Sequence, residues 1–252
     1  MRLPRIFVDG PLVAAQQMEL PAAASQHLLA VLRLRVGAPL VVFDGRGGEH
    51  PASLVAAGRG SARIEVGEHR AVERESPLAV TLLQGLARGE RMDVVVQKAT
   101  ELGVTRIIPV AAARSVVQLA EARAEKRVAH WQAVAVAACE QCGRNRVPEV
   151  TAPLPLVEAC RLAAADAADA SATRLWALDA EGGEPLAATP PPRGGRVALL
   201  VGPEGGLTDE ELEVAALTGF SRVRLGPRVL RTETAGPAAL AALQALAGDF
   251  GA

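Results

Sequence analysis

From Pro77 onward, apolar strand-like runs alternate with amphipathic helical runs, and this alternation restricts the possible fold more than any other feature of the sequence. The run LAVTLLQGLA has the continuous apolar character of a buried strand. The run after it places Met92, Val95 and Val96 on one helical face, and Gly103 supplies a helix stop. Strands that alternate with helices favour a mostly parallel sheet. We therefore predict an α/β domain over residues 76–252.

Residues 1–75 follow a different pattern, which is typical of a small β-rich domain. A helical pattern comes first, with Ser25 as its predicted N-cap and Gly37 as its predicted stop. Three short strand-like runs follow, PLVVFDG, HPASLVAAG and ARIEVGEH, and glycine-containing turns separate them. The polar segment VERESP then indicates a hinge before Pro77. We predict a small β-barrel domain that ends at this hinge.

Several elements of the second domain carry their own boundary signals. The helix TDEELEVAALTG opens with a complete capping box, with Thr208 as the N-cap and Glu211 as the third helical residue. The last helix should start late, with Thr234 as its cap and Pro237 in its first turn, because proline disfavours helix at the preceding residue. A long helix is predicted over about residues 119–143. The other predicted elements are the strands TRIIPV, TRLWALD, RVALLVG and RVRLG and the helix PLVEACRLAAADAA.

Composition narrows the class of protein. Of the 252 residues 50% are hydrophobic, which is ample apolar material for a core. The opening residues lack the apolar core of a signal peptide, and no window holds the roughly 18 consecutive apolar residues that a membrane span needs. We expect a cytoplasmic protein with no membrane partner.

The three cysteines are too few for a disulfide framework. Cys139 and Cys142 have the i, i+3 spacing that places two residues on one helical face. A metal site would need two more soft ligands, and no second cysteine pair or histidine cluster supplies them. We interpret the cysteines as buried small side chains rather than a redox or metal pair, and we predict no metal site.

Charge is unevenly distributed along the chain. Residues 86–146 carry 10 basic and 6 acidic groups, whereas residues 147–252 carry 8 basic and 14 acidic groups. Of the 27 basic residues 25 are arginine, whose planar guanidinium suits bidentate phosphate contacts. A biased, lysine-poor composition explains the same count equally well, so charge alone leaves RNA binding open.

Two glycine-bearing loops follow two late strands, VGPEGGL after Leu200 and LGPRVLRTETAGP after Val223. Ligands of open α/β sheets bind outside the carboxyl ends of strands, and Gly202 and Gly226 would let backbone groups approach a ligand closely. The phosphate-binding motifs GxxxxGK[ST] and GxGxxG are both absent. The acidic run that follows the first loop disfavours a polyphosphate. These loops predict a pocket for a cationic or neutral ligand, with ordinary turns and caps as the alternative.

The sequence contains no recognisable nucleophile and base pair for covalent catalysis. The four histidines are scattered, and none has a neighbouring serine or cysteine in a nucleophile motif such as GxSxG. A reaction driven by the positioning of two bound substrates fits better.

Six stretches of the chain occur in a characteristic order: MRLPRIFV, HLLAVLRLRVG, RGERMDVVVQKATELGVTRIIPV, AVAACEQCGRNRVPEV, LLVGPEGGLTDEEL and VRLGPRVLRTETA. With them the chain resembles, along nearly its whole length, the ribosomal small subunit methyltransferase E family of the SPOUT class. The resemblance implies a SPOUT-type knotted α/β domain with a C-terminal trefoil knot, behind a small N-terminal PUA-like β-barrel domain that binds RNA. It also implies a homodimer. The implied activity is S-adenosyl-L-methionine-dependent methylation of N3 of one uridine in 16S rRNA of the small ribosomal subunit.

The resemblance also places the methyl-donor pocket in the loops of the knot. Leu225 and Leu230 would sandwich the adenine ring, and nearby backbone would hydrogen-bond its edges. The implied cofactor-binding residues are Leu178, Val201, Gly202, Pro203, Glu204, Gly205, Leu225, Gly226, Leu230, Arg231 and Thr232.

Methyl transfer to uracil N3 requires loss of the N3 proton, and the carbonyl oxygens of the uracil ring then gain negative charge. A positioned cation would stabilise that charge. We predict Arg231 as the group nearest the chemistry, with Arg5 as a second candidate. Glu233 either accepts the proton or holds Arg231, and we favour the holding role.

Arginines are also the predicted RNA contacts. Arg33 and Arg35 alternate with leucines, so they either bind RNA phosphate or form the solvated face of their segment. The stretch CEQCGRN at a helix end is expected to contact RNA or a second subunit. The predicted RNA-binding residues are Arg5, Arg33, Arg35, Arg88, Arg91 and Arg144.

Two other functions remain open at this stage. A noncatalytic RNA-binding assembly factor could keep the same fold, and a nucleotide-binding enzyme is a weaker alternative. Binding of S-adenosylmethionine, S-adenosylhomocysteine and ATP distinguishes the three.

Overall fold

The structure is a computed structural model that describes residues 3–115, 121–166 and 172–251. The chain divides into two compact units. The first consists of Met1–Glu75 with Cys139–Val147, and the second of Ser76–Ala138 with Pro148–Ala252. Residues 139–147, which the sequence pattern assigned to the second domain, therefore pack with the first unit.

A buried polar network explains why this distant segment belongs to the first unit. The Arg5 guanidinium donates to Glu49 Oε2 at 2.6 Å and also to the side-chain oxygen of Asn145. Asn145 is fully buried, and its Nδ2 donates to the Val72 carbonyl at 2.5 Å. Buried polar groups need hydrogen-bond partners, and Arg5 and Asn145 bond to each other only when the distant segment is in place.

Five strands form the sheet of the first unit: β1 (Arg5–Phe7), β2 (Gln17–Glu19), β3 (Pro39–Phe43), β4 (His50–Ala57) and β5 (Ala62–Val66). Their order is β1-β3-β4-β5-β2, with β1 parallel to β3 and the other pairs antiparallel. In β5 every second residue is buried, because successive side chains point to opposite faces of a strand. The buried set includes Ile64, which belongs to the core of the unit with Leu28 and Leu54.

The helical segment of the first unit comprises α1 (Ala22–Gln26) and a π-helical turn (His27–Val31). The predicted capping role of Ser25 is wrong. Its side chain is fully buried, donates to the Leu20 carbonyl at 3.1 Å and accepts from the Ala62 N–H at 3.1 Å. Gly37 does not end the helix either, because the chain has already left it when Arg33 adopts a φ of +53°. A buried link to the sheet thus replaces the expected cap.

The second unit contains the strands β6 (Ala79–Gly85), β7 (Arg106–Ala111), β8 (Glu149–Val150), β9 (Leu154–Pro155), β10 (Thr173–Leu178), β11 (Glu184–Pro185), β12 (Arg196–Val201) and β13 (Ser221–Arg224). The main path is β11-β13-β10-β12-β6-β7-β8, and β9 also pairs with β7. All of these pairs are parallel, which confirms the α/β prediction. The central strands β6 and β12 are almost wholly buried, as strands covered on both faces must be.

Helices lie on both faces of this sheet: α2 (Arg91–Glu101), α3 (Glu121–Cys142), α4 (Leu156–Ala165), α5 (Asp209–Leu217) and α6 (Thr232–Ala247). The predicted start of α3 at about residue 119 lies outside the described residues. Leu83 of β6 packs in a cluster with Ala159 of α4 and Leu212 of α5. Leu82 instead lies on the side of Gly236 in α6. Because neighbouring residues of a strand face opposite ways, α6 covers the opposite face from α4 and α5.

The start of α6 differs from the prediction. The helix begins at Thr232 with Arg231 as its N-cap, so Pro237 lies inside it and Thr234 is not the cap. A proline clashes mainly with the Cβ of the preceding residue, and Gly236 has none. The first turn is held by the Arg231 carbonyl, which accepts from the N–H groups of Thr234 and Ala235. The glycine before the proline therefore permits a helix that proline alone would have delayed.

Cys139 is buried, and Cys142 is partly buried. Burial raises the pKa of the Cys139 thiol to about 12, so the thiol stays protonated near neutral pH. Among the described helices, none has both the length and the apolar character of a membrane span.

Candidate functional site

A cavity of about 400 Å³ opens at the carboxyl ends of β10, β12 and β13 in the second unit. These three strands are consecutive neighbours in the sheet, in the order β13-β10-β12. Because all three are parallel, the loops that follow them emerge at one edge. The two glycine-bearing loops predicted from the sequence do wall one pocket, and the loop after β10 supplies a third wall.

The residues predicted to bind a cofactor converge on this cavity. Arg231 is the exception, since its side chain is exposed and does not line the cavity. The ten that line it are Leu178, Val201, Gly202, Pro203, Glu204, Gly205, Leu225, Gly226, Leu230 and Thr232.

The walls of the pocket combine apolar surface with charges of both signs. Leu225 and Leu230 are half-buried and belong to the same loop. The acidic character expected from the sequence is not what the cavity shows, because equal numbers of carboxylates and guanidinium groups line it. The charged residues are Asp179, Glu181, Glu204, Asp209, Arg114, Arg222, Arg224 and Arg228. A ligand that carries both charge signs fits this lining better than a polyanion does.

The acidic run after the first loop serves helix α5. Thr208 Oγ1 accepts from the Glu211 N–H at 3.2 Å, and Glu211 Oε2 accepts from the Thr208 N–H at 2.9 Å, as the capping box predicts. Glu211 Oε1 also accepts from the Ala113 N–H at 2.7 Å. The cap uses two N–H groups that an anion would otherwise contact, which disfavours phosphate binding at this helix start.

Close packing of backbone explains the glycines of the first loop. A Cβ on Gly202 would lie 3.0 Å from the carbonyl carbon of Gly206 and 3.0 Å from the Leu207 nitrogen. A Cβ on Gly205 would lie 2.9 Å from the Cβ of Arg114. The Arg114 guanidinium donates to the carbonyls of Gly205 and Leu207 at 2.9 and 3.3 Å. Nothing in the sequence pattern around Arg114 indicated this role.

An ion-pair cluster joins the first loop to the starts of α2 and α6. Glu204 Oε1 accepts from Arg91 Nη1 at 2.7 Å and from the Arg88 N–H at 2.9 Å. Burial alone would raise the pKa of Glu204, but these hydrogen bonds outweigh that effect and lower the pKa. Arg91 Nε also lies 3.7 Å from Glu233 Oε1. Arg88 and Arg91, predicted as RNA contacts, therefore lie beside the pocket, where Arg91 already has carboxylate partners.

Glu233 does not hold Arg231 as favoured from the sequence, because its ion pair in the structure is with Arg91. Arg231 itself caps α6 through its backbone, and its side chain is exposed. Within the described parts of the chain, the Arg231 guanidinium has neither a hydrogen bond nor an ion pair. Its neighbours Leu230 and Thr232 both line the pocket, so the Arg231 backbone lies beside the pocket.

The predicted residues of the first unit divide by burial. Arg5 is 8% exposed and sits over the Phe43 ring at 5.0 Å, with its guanidinium bonded to Glu49 and Asn145. Arg144 is 4% exposed and forms an ion pair with Glu75 at 2.5 Å. Both arginine side chains are buried in the interior of the first unit. Side chains that contact RNA were expected to be exposed.

Arg33 and Arg35 are exposed, in the segment that follows the π-helical turn. Three nearby apolar side chains are also exposed, namely Leu32 and Val36 of this segment and Val31 at the end of the turn. The segment therefore offers both cations and apolar surface to a partner.

Sequence reasoning missed Asp179, which lines the pocket, and two residues that contact its loops. Asp179 follows β10 directly and pairs with Arg222 at 2.9 Å, and its place at a strand end was a usable signal. Gln84 and Gly85 end strand β6, which lies beside β12 in the sheet. Their apolar neighbours gave them the pattern of an ordinary buried strand, so only the folded structure reveals that they touch the pocket loops.

Comparison with known families gives two matches. A family model described as RNA methyltransferase domain matches residues 74–244. A second, described as RNA methyltransferase PUA domain, matches residues 20–67. Together they account for most of both units.

Curated proteins and solved structures agree with these matches. The chain is 34% identical to the ribosomal RNA small subunit methyltransferase E of Mycobacterium bovis, over 90% of this chain and 85% of that protein. The structure of the enzyme of the same name from Neisseria gonorrhoeae, bound to S-adenosyl methionine, is 39% identical with a TM-score of 0.88, and it covers 99% of this chain and 100% of that one. A Legionella pneumophila structure with the bound cofactor SAM is 37% identical with a TM-score of 0.91, at the same coverage.

Proposed function

Because the chain belongs to the ribosomal small subunit methyltransferase E family of RNA methyltransferases, we propose that it methylates N3 of a uridine in 16S rRNA with S-adenosyl-L-methionine as the donor. The observation that carries the proposal is the pocket at the carboxyl ends of β10, β12 and β13. Similar chains with 37% and 39% identity were solved with this donor bound.

The residues of the pocket suit the proposed donor. S-adenosylmethionine carries a carboxylate, an ammonium and a sulfonium group, and the lining likewise carries both charge signs. Leu225 and Leu230 present apolar surface from one loop, where a flat adenine ring could be held. Gly202, Gly205 and Gly226 carry no side chain, so the ring edges can approach the backbone of the loops closely. We propose that all ten lining residues predicted from the sequence serve this binding.

The bound donor would supply an electrophilic methyl group next to a positively charged sulfur. Methyl transfer would break the S–CH3 bond of the donor and form an N3–CH3 bond, with S-adenosylhomocysteine as the leaving group. The N3 proton would pass to solvent water, and negative charge would develop on the flanking carbonyl oxygens of uracil. A cation without a protein partner, placed near those oxygens, stabilises this charge more than it stabilises the neutral base. We propose that Arg231 fills this role, because it is exposed, lies between two residues that line the pocket and has no ion pair among the described residues.

We further propose that the protein acts as a homodimer on the small ribosomal subunit in the cytoplasm, and that the trefoil knot expected from the family is present. Arg33 and Arg35 are proposed to contact RNA phosphates, because they are exposed and carry no ion pair within the described residues. Arg5 and Arg144 are not proposed as direct contacts, since the interior of their unit occupies both side chains.

The test is methyl transfer from labelled S-adenosylmethionine to small subunits from a strain that lacks the modification. The product is mapped by mass spectrometry of the digested 16S rRNA. We expect one methyl group on a uridine, with the mass and retention of 3-methyluridine. Label on a cytidine or guanosine would overturn the uridine assignment.

Calorimetry with the donor, with S-adenosylhomocysteine and with ATP separates a methyltransferase from a noncatalytic assembly factor. We expect the first two ligands to bind and ATP not to compete. If neither S-adenosylmethionine nor S-adenosylhomocysteine binds, the methyltransferase assignment is excluded.

A further inference from the structure

Two side chains connect the pocket loops to the sheet: Thr232, which lines the cavity, and Gln84, which is not among the lining residues. Thr232, the first residue of α6, is 5% exposed, and its hydroxyl donates to the Gly202 carbonyl at 2.8 Å. Gly202 belongs to the loop after β12, whereas Thr232 ends the loop after β13. One hydroxyl therefore joins the two glycine-bearing loops.

Gln84 extends this connection into the central strand β6. Its side chain is fully buried, and its Nε2 donates to Thr232 Oγ1 at 2.9 Å and to the Gly85 carbonyl at 3.1 Å. A hydroxyl has one proton, and Thr232 gives it to Gly202, so the contact with Gln84 must be one that Thr232 accepts. Only an amide that points its NH₂ group at both acceptors satisfies this geometry. The series Gln84, Thr232 and the Gly202 carbonyl is called the amide–hydroxyl relay below.

The backbone beside the relay is packed without spare room. A Cβ on Gly85 would lie 2.5 Å from the Pro203 nitrogen and 2.8 Å from the Gly202 carbonyl carbon. The end of β6 therefore touches the first loop directly, and the relay holds the second loop against it. The relay therefore connects the two loops that form two walls of the pocket.

We propose that Gln84 and the Thr232 hydroxyl are positioning residues for the methyl donor. The relay keeps the two loops at the spacing that binds S-adenosylmethionine, and this inference rests on the function proposed above. Without the relay, the Gly202 carbonyl loses its partner, and the loops occupy the binding-competent arrangement for a smaller fraction of the time. Apparent affinity falls in proportion to that fraction.

The experiment compares four variants of the full-length protein by calorimetry with S-adenosylmethionine. Thr232→Val keeps the shape of the side chain and removes the hydroxyl, whereas Thr232→Ser keeps the hydroxyl and removes a methyl group. Gln84→Met removes the amide at similar volume. We expect Thr232→Val and Gln84→Met to raise the Kd about tenfold, and Thr232→Ser to stay within about threefold of the wild type.

The fourth variant, Gln244→Met, controls for the loss of a buried amide as such. Gln244 is 1% exposed in the same unit, and its Nε2 donates to the Leu102 carbonyl at 2.8 Å. It also pairs with Ser76, and neither residue lines the pocket. We expect Gln244→Met to lower the melting temperature as Gln84→Met does, and to leave the Kd unchanged.

The outcomes separate this proposal from the proposed function. Equal donor affinity in wild type, Thr232→Val and Gln84→Met would overturn the relay and leave the methyltransferase assignment intact. An equal rise in Kd for Gln244→Met would also overturn the relay. The loss of affinity would then come from lower stability of the unit and not from the relay. No donor binding by the wild type would instead refute the proposed function.

Discussion

Gly85 ends a buried strand at the point where that strand meets the Gly202–Pro203 peptide of the first pocket loop. Its backbone lies in an ordinary conformation, so the need for glycine is one of space and not of φ. An added methyl group would have to displace backbone, which costs more than moving the end of a flexible side chain. The absence of a side chain at Gly85 thus allows the end of β6 to pack directly against the first pocket loop.

Gly85→Ala should therefore weaken donor binding by about tenfold or more, because the Cβ at 2.5 Å from the Pro203 nitrogen pushes the first loop into the pocket. Isothermal calorimetry with S-adenosylmethionine measures the effect. Gly251→Ala is the matched control, since its Cβ would meet its nearest neighbour, the Ala245 carbonyl, only at 3.8 Å. Unchanged affinity in Gly85→Ala would show that the loop adapts freely.

Arg231→Ala should lower kcat by about 10²-fold, the usual effect of removing one group that stabilises developing negative charge. Donor affinity should change far less, because the side chain does not line the pocket. Single-turnover kinetics on unmodified small subunits and calorimetry with the donor measure the two quantities. Arg193→Ala, at an exposed arginine outside the cavity, is the control. Equal losses in turnover and donor affinity would assign Arg231 to donor binding instead.

At the scale of the element, helix α5 supports the first loop through its start. The capping box of Thr208 and Glu211 satisfies two N–H groups that a helix terminus leaves open. Three acidic residues in the first turn, Asp209, Glu210 and Glu211, interact favourably with the helix dipole. Glu211 Oε1 at this helix start accepts a hydrogen bond from the Ala113 N–H. This bond links the helix to the segment after β7.

Thr208→Ala should destabilise the second unit by about 1 kcal/mol, the typical loss when an N-cap hydroxyl is removed. The expected fall in the melting temperature is about 2–4 °C for a unit of this size. Differential scanning calorimetry measures the change, and Thr208→Ser serves as the control because it retains the capping oxygen. A loss of equal size in Thr208→Ser would show that the methyl group, and not the cap, is responsible.

At the scale of the whole molecule, the chain combines an N-terminal PUA-like unit with a SPOUT-type α/β unit, which confirms the fold class expected from the sequence. The first unit is discontinuous, because Cys139–Val147 groups with the N-terminal residues. Its interior is joined through Arg5, Glu49 and Asn145. A boundary drawn after residue 75 therefore separates groups that depend on one another for their hydrogen bonds.

The Arg5–Glu49 pair makes the stability of the first unit depend on pH. Burial alone would raise the pKa of Glu49, but the hydrogen bonds and charges of Arg5 and Arg74 outweigh that effect and lower the pKa below its usual 4.5. A pKa of Glu49 that is lower in the folded state means that the unfolded chain binds the Glu49 proton more readily than the folded chain does. The contribution of the pair is therefore complete above about pH 4.5 and is lost as the pH falls through the folded-state pKa.

Glu49→Gln should remove this part of the acid dependence. We expect the urea midpoint of the wild type, followed by far-ultraviolet circular dichroism, to fall more steeply between about pH 5 and about pH 3 than that of the variant. Tryptophan fluorescence is an internal control, because Trp131 and Trp176 both lie in the second unit. Identical slopes for the two proteins would show that the pair does not control the acid response.

The sequence alone determined the parts of this protein that depend on local order. The alternation of strands and helices follows from apolar periodicity, and the capping box of Thr208 and Glu211 follows from a four-residue motif. The placement of ten pocket residues followed from family motifs together with the rule that parallel strands end at one edge. Each of these depends on a few neighbouring residues or on a general property of parallel sheets.

Only the tertiary structure decided the contacts between residues that are far apart in sequence. Gln84 and Thr232 are separated by 148 positions, and Arg5 and Asn145 by 140. The sequence predicted Gln84 as one more residue of a buried strand, Ser25 as a cap, and Arg5 as an RNA contact and a candidate cation near the chemistry. Their roles depend on which partners the fold brings within hydrogen-bond distance in a low-dielectric interior, and periodicity carries no information about that choice.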